Sequence, residues 1–446
     1  MITMPIRSGS QRVLPGQYLL AFRRDPTGFL QSLAATHGDI AHIRIGGRSL
    51  FLFNHPDYIR DVLVTQQRNF VKGRTLEQSK RVLGEGLLTS EGEFHLRQRR
   101  LVQPAFHRQR IAAYASTMAE FTDHMRLRWQ SGTTVDVAQE MTQLTLAIIG
   151  KTMFDLDIET DGAKLGAAAQ VLQTKFGSPV LPFSGVLGNL PFSPIHQLDQ
   201  ARDEFDEVIY QMIAERRAGG DRGDVLSMLL SAQDEQSGGF LSDEQVRDTV
   251  VTLLLAGHET TANALTWTWY LLSQHPEVEA QLHAELDTVL EGRLPTFEDV
   301  ARLSYTRMVL SESMRLYPPA WTIGRRAVTD CEIGGCLVPA DSIVLVSQFV
   351  MHRDPRYYPD PLRFDPQRWT PEAQAQRPKF AYFPFGAGTR ICVGEQFAWM
   401  EGILLLATIA QQWQMRLAPG QRVAVQPQIT LRPKYGMRMT LERRGV

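Results

Sequence analysis

The sequence predicts a mainly α fold with a long central helix and small β-sheets. A capped helical pattern runs from Ser242 to about Gln274, helical periodicity covers most of residues 93–218, and strand alternation is confined to one early and one late stretch. Taken in order, Ile40–Asn54 reads as two short strands around Gly46-Gly47, a good hairpin signal. Asn54-His55-Pro56 opens a helix. Glu93 to Trp129 is helical with a break at Pro104, and the pattern resumes over Val135–Met153 and Ala201–Ala218. Lys175–Pro194, rich in Phe, Pro and Gly, reads as a long functional loop of the lid type. Ser242 and Gln245 form a capping box, and Pro276 stops the helix they start. Roughly 32 residues at 1.5 Å rise give ~48 Å, and the apolar middle third requires burial. A further helix ends at Tyr317-Pro318-Pro319. Strands are predicted over Cys331–Leu337 and Ser342–Gln348, around Val338-Pro339-Ala340-Asp341. The last helix runs from Gly394 to Gln412, before a β-like tail. The expected organisation is a single domain, 1–446, whose β portion comes from about 38–55, 320–350 and the tail.

Composition removes several classes. The chain has 446 residues, 43% apolar and 21% charged, with 47 basic against 48 acidic side chains. That balance excludes a nucleic-acid binder driven by global charge, and the composition excludes disorder, collagen and coiled coil. Three cysteines cannot form a fully paired disulfide set, which fits a reducing cytoplasm. The most apolar runs, near Val250–Gly257 and Ile403–Ala410, are buried-helix lengths, so no membrane anchor is expected.

Familiar nucleotide and hydrolase motifs fail residue by residue. Gly386 and Gly388 lack the third Gly of a dinucleotide fingerprint, and Thr145 stands where a P-loop ending in Gly150-Lys151-Thr152 needs Gly. His258-Glu259-Thr260-Thr261 is followed by Ala262 rather than the second His of a zinc protease. No flavin or nicotinamide is therefore expected on this chain. Cys331 and Cys336, spaced C-x4-C without a further Cys or His pair nearby, read as structural.

The chemistry concentrates in Phe385-Gly386-Ala387-Gly388-Thr389-Arg390-Ile391-Cys392-Val393-Gly394, just before the last helix. A helix N-terminus favours a negative sulfur, the glycines let backbone approach a flat partner, and Arg390 offers a fork for a carboxylate. Such a thiolate is suited to ligate haem iron. These residues match F-x-x-G-x-R-x-C-x-G, the cysteine-ligand signature of the cytochrome P450 family, at every specified position. Glu312-Ser-Met-Arg315 resembles the family's E-x-x-R pair, on one helix face by its i,i+3 spacing. Arg353-Asp354-Pro355 with Phe364, Pro366, Arg368 and Trp369 resembles its third partner segment. Ala256-Gly257-His258-Glu259-Thr260 is similar to the family's dioxygen-groove motif. There Gly257 is expected to clear room for a ligand, the Thr hydroxyl to favour a local widening of the helix, and Glu259 with Thr260 to relay protons.

The resemblance, from about residue 35 to the end, implies a cytochrome P450-like haem fold holding haem b (iron protoporphyrin IX). Cys392 is then the metal ligand within Phe385, Gly386 and Gly394. Arg390, Arg326, Arg99 and His95 are implied as cofactor contacts, with Arg325 replacing Arg326 if the strand register is off by one. Glu312 and Arg315 are implied as a structural pair. Ala256, Gly257, Glu259 and Thr260 are implied at the catalytic centre. Leu87, Leu88, Leu253, Ala320, Trp321, Ile323 and Thr430 are implied as walls of an apolar pocket, and hence a lipophilic small-molecule substrate. The implied reaction is monooxygenation with dioxygen, hydroxylating or epoxidising the substrate, by a monomer that takes electrons from a separate ferredoxin or flavodoxin with its reductase. A peroxide-driven peroxygenase on the same fold, or a non-catalytic haem-thiolate sensor or carrier, are the alternatives. Arg97, Arg99, Arg100, Arg108 and Arg110, unaccompanied by any acid between His95 and Arg110, suggest a docking face for an acidic donor.

Overall fold

The long helix forms where its end signals lie. In the computed structural model, which describes residues 16–45, 47–156, 166, 171, 194–232 and 239–445, it spans Asp243–Gln274, 32 residues. Ser242 Oγ accepts the Gln245 amide at 3.2 Å and Gln245 Oε1 accepts the Ser242 amide at 3.0 Å. The capping box therefore satisfies two amides that a helix start would leave orphaned. Pro276 occupies the first position of the next helix, Pro276–Leu290, where a missing N–H costs nothing.

The chain forms two compact units, Met1–Gln78 with Ser311–Cys392, and Ser79–Leu310 with Val393–Val446. The first carries a five-stranded sheet in the order Ile40–Ile45, Arg48–Phe53, Ile343–Val346, Ile323–Ala327, Phe70–Lys72. Its pairs are antiparallel except Arg48–Phe53 with Ile343–Val346. The predicted hairpin is present, with Gly47 at φ +83° in its turn. One strand prediction is corrected. Cys331–Leu337 is not continuous: Cys331–Ile333 pairs back on Cys336–Val338, turned by Gly334 and Gly335 at φ +58° and +76°. Left-handed backbone is cheap for glycine alone, so a Gly-Gly pair inside an alternating run ends the strand. Both cysteines of that hairpin are buried in a cluster with Phe51, Phe70, Ile333 and Val346, and none of the three cysteines is disulfide-bonded.

The second unit is built on helices. Gly92–Val102 and Arg108–Leu127 are separated by a 3-10 turn at Gln103–Phe106, the break expected at Pro104. Val137–Phe154 packs along the long helix, where Thr145 Oγ1 donates to the His258 carbonyl at 3.0 Å. The helix predicted from Ala201 begins earlier, at Pro194; the predicted loop before it lies outside the described residues. Glu395–Ala410 is the last helix. The tail forms a three-stranded sheet of Thr134–Asp136, Arg438–Arg443 and Trp413–Leu417, and a hairpin of Val425–Pro427 with Leu431–Pro433. The indole of Trp267 donates to the Leu431 carbonyl at 2.9 Å, tying that hairpin to the long helix. Among the described residues, no helix is long and apolar enough to cross a membrane.

Candidate active site

The cysteine loop is held by backbone geometry that only its glycines permit. Gly386 and Gly388 both sit at φ +72°. A Cβ on Gly388 would stand 2.1 Å from the Leu63 carbonyl oxygen, and backbone cannot yield as a side chain would. Gly386 N–H donates to Phe383 at 3.0 Å and Cys392 N–H to the Phe385 carbonyl at 3.0 Å. Gln67 Oε1 accepts both the amide and the hydroxyl of Thr389 at 2.9 Å. Cys392 is exposed whereas Cys331 and Cys336 are buried; Phe385 and Arg390 are half-buried. Gly394 caps the Glu395–Ala410 helix.

Behind this loop in the same unit, Glu312 and Arg315 are wholly buried and pair through two bonds of 2.8 Å. Arg315 also donates to the carbonyls of His352, Pro361 and Arg363. Glu312 accepts the Trp369 indole at 2.9 Å and the Asp365 amide at 3.0 Å, with Arg368 3.4 Å away. Phe364 and Pro366 are buried, and Arg353 donates to the Leu316 and Phe349 carbonyls. His352 links this network to the loop, since its Nε2 accepts the Phe383 amide at 3.1 Å. Burial and the charges of Arg315 and Arg353 drive its pKa well down, leaving a neutral ring able to accept. Sequence reading missed His352 and Gln67. Their signals were weak, a His beside the Arg353-Asp354 pair and a Gln beyond a short helix.

The two adjacent strand arginines take opposite faces. Arg326 points to the polar face of its strand, pairing with Glu77 at 2.7 Å and lying 3.8 Å from Asp341. Its neighbour Arg325 takes the buried face. Strand residues alternate faces, and a shift of one reverses the assignment. Ala320 and Ile323 are half-buried and Trp321 is buried, its carbonyl accepting Ser347 Oγ at 2.8 Å.

In the second unit the long helix carries the acid–alcohol pair. Ala256 is exposed and Thr260, one turn on, is half-buried with its hydroxyl on the Ala256 carbonyl at 2.9 Å. Thr261 makes a longer bond, 3.4 Å, to Gly257. One expectation is corrected here. The helix is α-helical throughout Asp243–Gln274, with no local widening. Gly257 clears room for a neighbouring helix, because a Cβ there would lie 2.5 Å from Ile149 Cδ1. Glu259 is largely buried; burial raises its carboxyl pKa, while the Thr430 hydroxyl and Arg432 oppose that rise. Thr430, expected as a pocket wall, is buried and donates to Glu259.

His95 is buried with Nδ1 3.1 Å from the Leu87 carbonyl, and Arg99, one turn later, is half-buried. Leu87 and Leu253 are buried and Leu88 half-buried. The segment bearing Leu87 and Leu88 is clamped to the long helix. Asp248 accepts the Glu85 amide at 2.6 Å, and Arg247 reaches Asp248, Asp206 and the Val82 carbonyl. The adjacent charges Arg247-Asp248, in the first turns of the long helix, were the unread signal.

The sequence profile of the cytochrome P450 family matches residues 13–439. The chain belongs to that family. It is 42% identical over 421 residues to cyclooctatin synthase of Streptomyces melanosporofaciens, covering 94% of this chain and 91% of that protein. It is 40% identical to cyclooctat-9-en-7-ol 5-monooxygenase of the same organism, over 90% of this chain and 88% of that one. It is 36% identical to pentalenene oxygenase of Streptomyces avermitilis, over 92% and 89%. The crystal structure of the cytochrome P450DA heme domain superimposes with a TM-score of 0.84 at 29% identity, covering 96% of each chain. The chain is thus a P450 monooxygenase with a haem-thiolate cofactor. Its residues fit that group: one exposed thiol in a glycine-built loop, with both other cysteines buried.

Proposed function

We propose that this P450 inserts one atom of dioxygen into a lipophilic terpenoid, working as a single-domain cytoplasmic monomer fed by a separate ferredoxin or flavodoxin and its reductase. The exposed Cys392 in its braced loop is the observation that carries the reading. Haem b, when bound, supplies the activation of dioxygen. Cys392 Sγ would hold its iron, and Arg390, Arg326 or its neighbour Arg325, Arg99 and His95 would be the candidates for its carboxylates. Splitting dioxygen with one atom leaving as water consumes two protons. Glu259, on the long helix, supplies a proton and the Thr260 hydroxyl hands it on. That pair favours dioxygen over peroxide as the oxidant. The terpenoid class is supported by the names of the relatives and by apolar pocket candidates such as Leu87, Leu253 and Ile323. Cysteines outside any disulfide suit a reducing compartment.

The test joins two measurements. Cys392→Ser is expected to abolish the red-shifted Soret band of the reduced carbon monoxide complex; an unchanged band overturns the ligand assignment. Spectral titration with cyclic terpene hydrocarbons and alcohols, against fatty acids and steroids, is expected to give the tightest binding in the terpene set. Preference for another class overturns the substrate reading.

A further inference from the structure

The acid of the relay is anchored, and the anchor lies on the C-terminal hairpin. Glu259 Oε1 accepts the Thr430 hydroxyl at 2.5 Å. The same hydroxyl oxygen accepts from Asn263 Nδ2 at 3.1 Å. A hydroxyl has a single proton to give, so the Asn263 donation leaves Thr430 oriented toward Glu259. The Arg432 guanidinium stands 3.9 Å from the carboxylate with 22% of its side chain exposed, against 13% for Glu259. The strand between them is fixed, because Leu431 is wholly buried and its carbonyl takes the Trp267 indole.

We propose that Thr430, Asn263 and Arg432 are positioning residues that park the Glu259 carboxyl on the hairpin and set how readily it passes a proton to Thr260. This rests on the acid–alcohol reading above and adds what controls the acid. Among the described residues, Arg432 is the charged group acting on Glu259, whose helix neighbours Thr260 and Asn263 are uncharged. His258, buried on the same helix with Nδ1 on the Leu254 carbonyl, is pushed down to about 4 and stays neutral near pH 7. Removing Thr430's donor or Arg432's charge makes the carboxyl hold its proton more tightly and frees it to turn away. Either change separates proton supply from electron supply, and the excess electrons leave as hydrogen peroxide.

The experiment uses full-length holoenzyme with Thr430→Val, Thr430→Ser, Arg432→Gln and Thr260→Ala. Peroxide released per reduced nicotinamide consumed and the solvent deuterium isotope effect on kcat are measured with a surrogate reductase chain. Without turnover, infrared difference spectra of carbon-13 glutamate protein are titrated with pH, using Glu259→Gln as the blank. Thr430→Val and Arg432→Gln are expected to raise the peroxide share and the isotope effect with the haem spectrum kept. Both should move the Glu259 midpoint up by about one pH unit, tenfold in proton affinity, and Thr430→Ser should restore parental behaviour. If Thr260→Ala uncouples while Thr430→Val and Arg432→Gln keep the parental peroxide share and midpoint, the positioning role is overturned alone. If Thr260→Ala stays fully coupled, the acid–alcohol reading falls and takes this inference with it.

Discussion

Glu312→Ala removes one carboxylate and strands several partners at once. Arg315 loses two bonds of 2.8 Å, and the Trp369 indole and Asp365 amide lose theirs at 2.9 and 3.0 Å. Breaking one side of a buried pair typically costs ~3–5 kcal/mol, and each buried donor left unmade ~1–3 kcal/mol. Arg315 keeps the carbonyls of His352, Pro361 and Arg363 and the Tyr358 ring at 5.0 Å. Those contacts hold the total toward the lower end, about 5 kcal/mol, still comparable with the ~5–15 kcal/mol that keeps a domain folded. Glu312→Gln retains an acceptor but not the charge, and should lose roughly half as much. Urea unfolding followed by near-ultraviolet circular dichroism gives the free energies, and the carbon monoxide band per milligram reports loaded protein. Glu312→Ala should yield mostly insoluble or haem-free chain. A soluble variant within about 1 kcal/mol of the parent, with full haem content, would refute the network as the brace of the cysteine loop.

Gly257→Ala should destabilise by ~1–3 kcal/mol through overlap with Ile149, less the ~1 kcal/mol alanine gains in helix propensity. Adding Ile149→Val removes the clashing Cδ1 and should recover part of that loss; additive effects in the double variant would show the contact is not the cause. Glu401 is wholly buried and burial pushes its pKa up to about 8. An acid whose folded pKa is raised favours folding fully below its unfolded value and loses that contribution as pH rises toward the folded one. Glu401→Gln should therefore gain on the order of 3 kcal/mol over the parent at pH 7, with the gap closing near pH 4.5; a pH-independent difference contradicts the burial argument. For donor docking, Arg100 and Arg108 are exposed, whereas Arg97 is half-buried over Phe94 and Arg110 donates to the Gly223 carbonyl. Reversing Arg100 or Arg108 to Glu should slow reduction by an acidic ferredoxin at low salt, and rates indifferent to both charge and salt would move the docking face elsewhere.

Local physics made much of this molecule legible. The helix Asp243–Gln274 could be read from Ser242 to about Gln274 because both its ends are set by short-range chemistry, a capping box and a proline. The cysteine loop was readable because glycines at positive φ and a cysteine before a helix are demands of backbone geometry at fixed spacing. Glu312 and Arg315 were visible as a pair because i,i+3 neighbours share a face whatever surrounds them. What depended on partners far along the chain was not visible. Which of Arg325 and Arg326 is buried was open because strand pairing, not the strand's own sequence, fixes the buried face. The space beside Gly257 is filled by Ile149, 108 positions earlier in the chain, which no local spacing could show. That the Thr430 hydroxyl meets Glu259 became visible only when the fold laid the tail beside the long helix. Spacing along a chain encodes torsion angles and near neighbours; which buried donor meets which distant acceptor is decided only when the elements pack, since each polar group removed from water must find its partner there.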